Sequence, residues 1–308
     1  MTSLEQPLDL ATPKVAERRR PVRPSLRGNW WRHLVGVGAV GIALIPLAYV
    51  VSAAFNADSS LSGSSLVPRD VTLQSFRDIF NDPNPERDTR YLTWYGNSYF
   101  IAGVAAVFNV FLGALAAYAF SRFRFKGRRF GMLALLLIQM FPAFLALVAI
   151  YLLLLQTGEV FSTLGLNSRV ALIAVFLGGA LGVNAWLMKG FFDTIPSELD
   201  ESARVDGATP AQIFWGVILP LAAPVLAVVG IITFVFLLNE FIITSALLQT
   251  ADKFTLPVGL RGYINAQYSE LWGPFAAGAV LAAIPVAIIV MAFQRFFVRG
   301  LTAGAVKG

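Results

Sequence analysis

Long apolar stretches constrain this chain more than any other feature of its sequence. Six of them occur between Leu34 and Phe297, and most reach the ~20 residues that a helix needs to cross a bilayer. Only 14% of the residues are charged, whereas soluble domains carry about 25%. The sequence therefore predicts an all-α, polytopic membrane protein with six transmembrane helices. The predicted spans cover about 34–55, a segment that follows the aromatic residues at 94–99 and ends near 120, and about 130–155, 170–188, 217–248 and 274–297.

Basic residues predict how these spans are oriented. Six spans place both termini on one side, and 17 of the 24 Lys and Arg residues lie on that side. Loops rich in Lys and Arg stay in the cytoplasm, so both termini are expected there. The net charge of +6 is then explained by topology and not by nucleic-acid binding.

Three segments follow from this pattern. Residues 1–33 form a basic cytoplasmic tail, 34–300 the six-span membrane domain, and 301–308 a cytoplasmic C-terminal tail. The apolar stretch at 34–55 is longer than the 7–15 apolar residues of a signal peptide, so we interpret it as an uncleaved first span.

Several chemistries are excluded by missing residues. The chain has no cysteine and one histidine, His33, so it offers no thiol nucleophile and no Cys- or His-based metal cluster. The spans contain no buried Ser/His pair or paired Asp for an intramembrane hydrolase. No Gly-x-x-x-x-Gly-Lys-Ser/Thr phosphate loop occurs anywhere. We therefore expect no catalytic residues, no metal and no ATP site in this chain.

A polar interruption between the fourth and fifth spans, PSELDESARVDGATPAQIFWGVILP at 196–220, carries its own helix signals. Ser197 and Asp200 have the spacing of a capping box, and acidic residues fill the first turn. Gly207 is a natural helix stop. Thr209 followed by Pro210 restarts a helix, with threonine as the cap. The pattern predicts a helix, a glycine turn and a second helix that runs into the fifth span.

This interruption resembles the EAA loop of permeases in binding-protein-dependent ABC importers. The family pattern is Glu-Ala-Ala, three residues, Gly, nine residues, then Ile, any residue, Leu-Pro. Ser202 and Val217 replace the first Ala and the Ile of this pattern, both conservative changes. The pattern is matched here by Glu201, Ser202, Ala203, Gly207, Leu219 and Pro220.

The resemblance implies a transport subunit that is not itself an enzyme. Its partners would be a second permease subunit, a dimer of cytoplasmic ATPases that binds ATP and Mg, and an extracytoplasmic solute-binding protein. The EAA helix would dock on the ATPase, with Glu201 paired to a basic group there. The protein would sit among the lipids of a bacterial plasma membrane and would bind no nucleic acid.

The C-terminus GLTAGAVKG is similar to that of maltodextrin-type permeases, as are FTLPVG at 254–259 and LWG at 271–273. This likeness implies maltose, maltodextrin or a related disaccharide such as trehalose as the transported solute. Permeation of another solute, such as a polyol or glycerol phosphate, stays open. A secondary transporter is the alternative class, but Glu240 is the only carboxylate available inside a span.

Polar residues within the spans are candidates for the translocation path, because ionisable groups are costly in a membrane. We name Glu240, Asn239 and Asn184, and for the amides interhelical hydrogen bonding is the competing interpretation. The loop between spans five and six mixes aromatic and amide side chains that suit contact with the binding protein. Its candidate contact residues are Arg261, Tyr263, Asn265 and Tyr268.

Overall fold

The structure is a computed structural model that describes residues 30–58, 66–81, 90–264 and 271–305. Within these ranges it contains no β-strand, only one isolated antiparallel bridge between Asn56 and Val71. Five helices among the described residues are long and apolar enough to cross a membrane: Trp30–Phe55, Tyr91–Arg122, Arg169–Phe192, Pro210–Leu238 and Trp272–Gln294. The prediction of an all-α, multi-span membrane protein is confirmed.

The chain forms two compact units, 1–46 and 47–308. Helix α1 (Trp30–Phe55) supplies the described part of the first unit and continues into the second. The second unit goes on with α2 (Gln74–Asp78) and the 32-residue α3 (Tyr91–Arg122). Residues 1–29, and with them most of the predicted basic tail, lie outside the described residues.

The third predicted span is not one helix. It consists of α4 (Arg128–Met140) and α5 (Leu147–Val160), separated by a short 3-10 turn at Ala143–Ala146. Pro142 causes the break, since proline cannot donate a helical hydrogen bond and pushes the residue before it out of the helical region. Phe141 accordingly has φ −70° and ψ 126°. The predicted span at about 130–155 is therefore divided at Pro142 into two helices.

The fourth span is also interrupted. Helix α6 (Arg169–Leu177) and α7 (Ala185–Phe192) are joined through a wider, π-type turn at Ala180–Asn184. Gly182 lies in this turn with φ −88° and ψ −112°, outside the helical region. The polar loop then forms α8 (Glu198–Val205) and α9 (Pro210–Ile213).

The fifth span continues from α9 through a π-type turn at Phe214–Ile218 into α10 (Leu219–Leu238). The apolar stretch predicted to reach 248 is divided after Leu238, and α11 (Ile242–Leu247) is a separate short helix. Two more helices complete the chain, α12 (Leu256–Ile264) and α13 (Trp272–Ala305). Because α13 continues through residue 300, the boundary predicted there between membrane domain and tail is not the end of a helix.

Helix α3 is the centre of the second unit. Its buried residues belong to three hydrophobic clusters, shared in turn with α7 and α10, with α12 and α13, and with α6 and α11. Many of the buried residues of α3 are alanines, including Ala102, Ala105, Ala114 and Ala117, all at most 1% exposed. Small residues let helices approach closely in a membrane, where van der Waals packing drives their association.

Candidate functional site

The EAA loop folds as its local sequence signals predict, except at Ser197. Helix α8 has Glu198, Asp200 and Glu201 in its first turn, where the helix dipole favours negative charge. Ser197 precedes it but makes no side-chain capping bond, so the predicted cap is wrong. A capping residue normally has extended backbone dihedrals. Ser197 instead has helical values, φ −67° and ψ −20°.

The turn after α8 follows the predicted geometry. Gly207 has φ +82°, a left-handed conformation that glycine adopts without a steric penalty. The Gly207 and Ala208 amides donate to the carbonyl oxygens of Arg204 and Ala203, at 3.0 and 2.9 Å. Thr209 then caps α9 in a complete capping box with Gln212, and Pro210 is the first residue of that helix.

Helix α8 has an exposed side and a buried side. Its exposed side, which we call the outer face, consists of Glu201, Ser202 and Val205, and Val205 is 88% exposed. Its inner side consists of Asp200, which is 2% exposed, and Ala203, which packs on the cluster shared by α3, α7 and α10. The outer face thus offers one carboxylate beside an apolar side chain.

The last two motif residues lie at the start of α10. Leu219 packs on the same cluster as Ala203, whereas Pro220 is exposed. Pro220 lies just after the π-type turn at Phe214–Ile218, where the regular helical hydrogen bonding that a proline interrupts is already altered. Of the six motif residues, Ala203 and Leu219 therefore pack on the bundle, whereas Glu201, Ser202, Gly207 and Pro220 are exposed.

The sequence did not indicate which residue holds the inner side of α8 in position. Arg122, the last residue of α3, forms an ion pair with Asp200, with 2.7 Å between Nε and Oδ2. Its Nη2 atom also donates to the carbonyl oxygen of Ile195 at 3.0 Å. In the sequence, Arg122 belongs to the basic residues that predict topology, and Asp200 belongs to the capping-box spacing and to the acidic first turn of α8. The position of Asp200 three residues before the small Ala203, on one side of α8, was the only local signal of an inward-facing carboxylate.

The candidate path residues all have hydrogen-bond partners within the chain. The Glu240 carboxylate accepts from the amides of Ile243 and Thr244 at 2.8 and 2.9 Å and from the Thr244 hydroxyl at 2.7 Å, so it caps α11. Asn239 donates to the carbonyl oxygen of Val235 one turn earlier, at 2.7 Å. The division of the fifth apolar stretch after Leu238 follows from this local capping by two polar residues.

Asn184 lies elsewhere, at the π-type turn of the fourth span. Its side-chain amide donates to the hydroxyl of Thr233 on α10 at 3.3 Å, so it joins two spans. Gln139 of α4 reaches the same turn, where it donates to the carbonyl oxygen of Gly179 at 3.3 Å and accepts from the amide of Val183. Irregular backbone at membrane depth needs such partners. The structure does not bring Asn184 together with Asn239 and Glu240 through any described hydrogen bond.

The candidate contact loop includes a helix that the prediction did not contain. Arg261 lies on α12, is exposed, and has its guanidinium carbon 5.3 Å from the ring centroid of Phe241. Tyr263 is 3% exposed and packs with Trp94, Leu256 and Leu260, so its ring does not face outward in this structure. Asn265 and Tyr268 lie outside the described residues. In the described part of the chain, no three His, Cys, Asp or Glu residues are placed to hold a metal ion.

Together, the packed spans and the exposed segment of helix, turn and helix between the fourth and fifth spans define a multi-pass membrane protein with a polar connection on one side. Residues 109–303 match the family described as the binding-protein-dependent transport system inner membrane component, and the chain belongs to this family. The membership predicted from the EAA loop is confirmed.

Named relatives cover nearly the whole chain. The chain is 40% identical over 267 residues to the galactooligosaccharides transport system permease protein GanQ of Bacillus subtilis (strain 168). The aligned region covers 87% of this chain and 91% of GanQ. The chain is also 39% identical over 283 residues to the maltose/maltodextrin transport system permease protein MalG of Escherichia coli (strain K12). That alignment covers 90% of this chain and 95% of MalG.

A solved structure has the same fold. The crystal structure of a bacterial ABC transporter that imports the acidic polysaccharide alginate contains a chain with a TM-score of 0.71 to this one. That chain is 25% identical, and the match covers 89% of this chain and 99% of the other.

Proposed function

We propose that this chain is a permease subunit of an ABC importer for an oligosaccharide of the malto- or galacto- series, or for a related disaccharide. The observation that carries the proposal is the ~40% identity, over about nine-tenths of the chain, to relatives named for galactooligosaccharide and maltose/maltodextrin transport. The solute would move by alternating access of the helical bundle, without covalent chemistry.

The energy would come from a separate ATPase dimer, which would bind the ATP and Mg, because the sequence contains no phosphate loop. The outer face of α8 is the proposed docking surface. Its support is the exposure of Glu201 and Val205 on a helix whose other side is buried. A carboxylate beside an apolar anchor suits a cleft that combines a basic group with an apolar wall.

A second permease subunit and an extracytoplasmic binding protein would complete the assembly. Exposed apolar side chains of α4, including Leu133, Leu137 and Met140, offer surface for lipid or for that second subunit. Arg261 is the described residue that supports a contact with the binding protein, since it is exposed on the segment between the fifth and sixth spans. Asn184 and Thr233 are the polar pair that would meet a solute passing between α7 and α10.

The test is a reconstituted transport assay. The chain is assembled with the second permease, the ATPase and the binding protein from its own gene cluster, in proteoliposomes. Uptake and ATP hydrolysis are measured with maltotriose, trehalose, a galactooligosaccharide and glycerol phosphate. We expect binding-protein-dependent uptake of at least one of the first three. Uptake of glycerol phosphate alone, or uptake driven by an ion gradient without ATP, would contradict the proposal.

The proposed orientation places both termini and α8 in the cytoplasm. We expect a periplasmic reporter fused after Ser162 to be active, and a cytoplasmic reporter to be active after Lys126 and after Thr209. The reason is the excess of Lys and Arg on the side of the termini. Activity of the periplasmic reporter at Thr209 would reverse the orientation and remove α8 from any cytoplasmic ATPase.

A further inference from the structure

The strongest unassigned feature is the ion pair behind α8. The Arg122 and Asp200 side chains are 9% and 3% exposed, with 2.7 Å between Arg122 Nε and Asp200 Oδ2. Removing two charges from water is costly, and a buried ion pair often adds little net stability over apolar residues of similar volume. Its best-attested use is to fix one arrangement of the elements that it joins. The question is therefore which elements this pair fixes.

The Arg122 guanidinium holds the loop at two places. One nitrogen contacts Asp200 on α8, and another donates to the carbonyl oxygen of Ile195, just before that helix begins. The planar fork of arginine suits such two-point contact, which lysine cannot reproduce. Four residues earlier on α3, the Tyr118 hydroxyl donates to the carbonyl oxygen of Pro210, the first residue of α9. One turn of α3 thus holds the loop on both sides of the Gly207 turn.

The ion pair joins α8 to α3, the helix around which the second unit packs. α3 contributes to all three buried clusters, so a displacement of its last turn is resisted along its whole length. The outer face of α8, by contrast, is exposed. A force applied to the outer face therefore reaches the bundle through the contacts of the inner side. Among these contacts, the Arg122–Asp200 pair joins two charged side chains.

We propose that Arg122 and Asp200 are positioning residues that make α8 and α3 move together, so that a displacement of α8 by the ATPase becomes a rearrangement of the bundle. This inference rests on the proposed function, since it assumes that an ATPase acts on α8. Loss of the pair leaves the outer face intact but lets α8 move without α3. ATP hydrolysis then continues while transport fails.

The experiment measures sugar uptake and ATP hydrolysis in the same proteoliposomes of the full complex, for Asp200→Asn, Arg122→Gln and the exchanged pair Arg122→Asp with Asp200→Arg. For the single variants we expect uptake per ATP to fall at least about fivefold, the lower end of typical coupling between sites. We expect the exchanged pair to recover part of that loss. Lys189→Gln is the matched control, because it removes a more exposed ion pair, with Asp193, at the neighbouring end of α7.

Each result separates the alternatives. If the wild-type complex takes up no sugar, the proposed function fails, whatever the pair does. If wild type transports and an assembled single variant keeps the normal uptake per ATP, the pair is only structural and the inference is overturned. Should neither single variant assemble, Arg122→Lys, which keeps the charge without the fork, must show the reduced ratio. A normal ratio in that variant, or an exchanged pair no better than the single variants, overturns the inference.

Spectroscopy provides a readout that a purely structural defect would not move in the same way. The chain has no cysteine, so spin labels can be placed uniquely on it at Glu198→Cys of α8, outside the motif, and at Arg124→Cys, both exposed positions. In assembled complexes we expect the distance distribution between the labels to broaden in Asp200→Asn and to stay unchanged in Lys189→Gln. An unchanged distribution in Asp200→Asn would contradict independent movement of α8.

Discussion

Replacing Gly259 with alanine is expected to destabilise the protein strongly, although alanine is the better helix former. A Cβ atom at Gly259 would lie 2.2 Å from two carbon atoms of the Trp94 indole ring. The ring cannot easily move aside, because it is 5% exposed and its Nε1 atom donates to the carbonyl oxygen of Ala251 at 2.7 Å. Overpacking of this kind typically costs about 1–3 kcal/mol, and so close an approach favours the upper end of that range.

The matched control lies one turn further along the same helix. A Cβ atom at Gly262 meets nothing within 4 Å. Gly262→Ala should therefore leave the unfolding midpoint unchanged or raise it, since alanine exceeds glycine in helix propensity by up to about 1 kcal/mol. Thermal unfolding of the purified, detergent-solubilised proteins gives the comparison. Equal midpoints for the two variants would mean that α12 does not pack on α3 as described.

Reversing the charge at Glu201 is expected to separate ATP hydrolysis from transport or to detach the ATPase, while the protein still folds and inserts. Glu201 is exposed on the outer face of α8, so no internal contact is lost. Loss of a charge pair that becomes buried in an interface costs about 2 kcal/mol or more, which corresponds to roughly a thirtyfold effect on binding. Co-purification of the ATPase, ATP hydrolysis and sugar uptake are measured together. We expect uptake to fall in Glu201→Lys, either with loss of the ATPase or with continued hydrolysis, and to fall less in Glu201→Gln.

Glu198→Lys controls for the helix itself. Glu198 is also exposed in the first turn of α8, so a lysine there carries the same unfavourable interaction with the helix dipole, about 0.3–1 kcal/mol. It is not part of the motif that predicted the docking surface. If Glu198→Lys and Glu201→Lys reduce uptake equally, the effect arises from the helix terminus and not from contact of Glu201 with the ATPase.

Local signals in the sequence predicted local structure well. Gly207 and the Thr209-Pro210 pair gave the turn and the second helix of the EAA loop, because the conformations they favour depend mainly on their own backbone. Ser197 failed as a cap because its own backbone is helical. Pro142 lies inside the third apolar stretch, but hydrophobicity alone does not tell a kinked helix from two helices.

The parts that could not be predicted depend on contacts between distant residues. Arg122 and Asp200 are far apart in the chain, and neither has a neighbour that identifies its partner. Glu240 was considered for the translocation path because a carboxylate between apolar segments is unusual. In the structure Glu240 accepts three local hydrogen bonds and caps α11. Mean hydropathy averaged over the segment does not reveal this capping role. Whether Glu240 also meets a solute stays a prediction.

The polar contacts of α3 share one property that bears on how such a subunit can change over evolutionary time. The side chains that α3 extends to other segments end largely on main-chain carbonyl oxygens: Tyr91 on Gly278, Trp94 on Ala251, Asn97 on Asp252 and Phe254, Tyr99 on Ala282, Asn109 on Phe176, Tyr118 on Pro210, and Arg122 on Ile195. A carbonyl oxygen is present whatever side chain its residue carries. The receiving segments can therefore exchange side chains without losing these bonds, so long as their backbone keeps its course. The side chains that fix these contacts therefore lie mainly on α3. The surrounding helices are left free to change their side chains and so to adapt to new solutes.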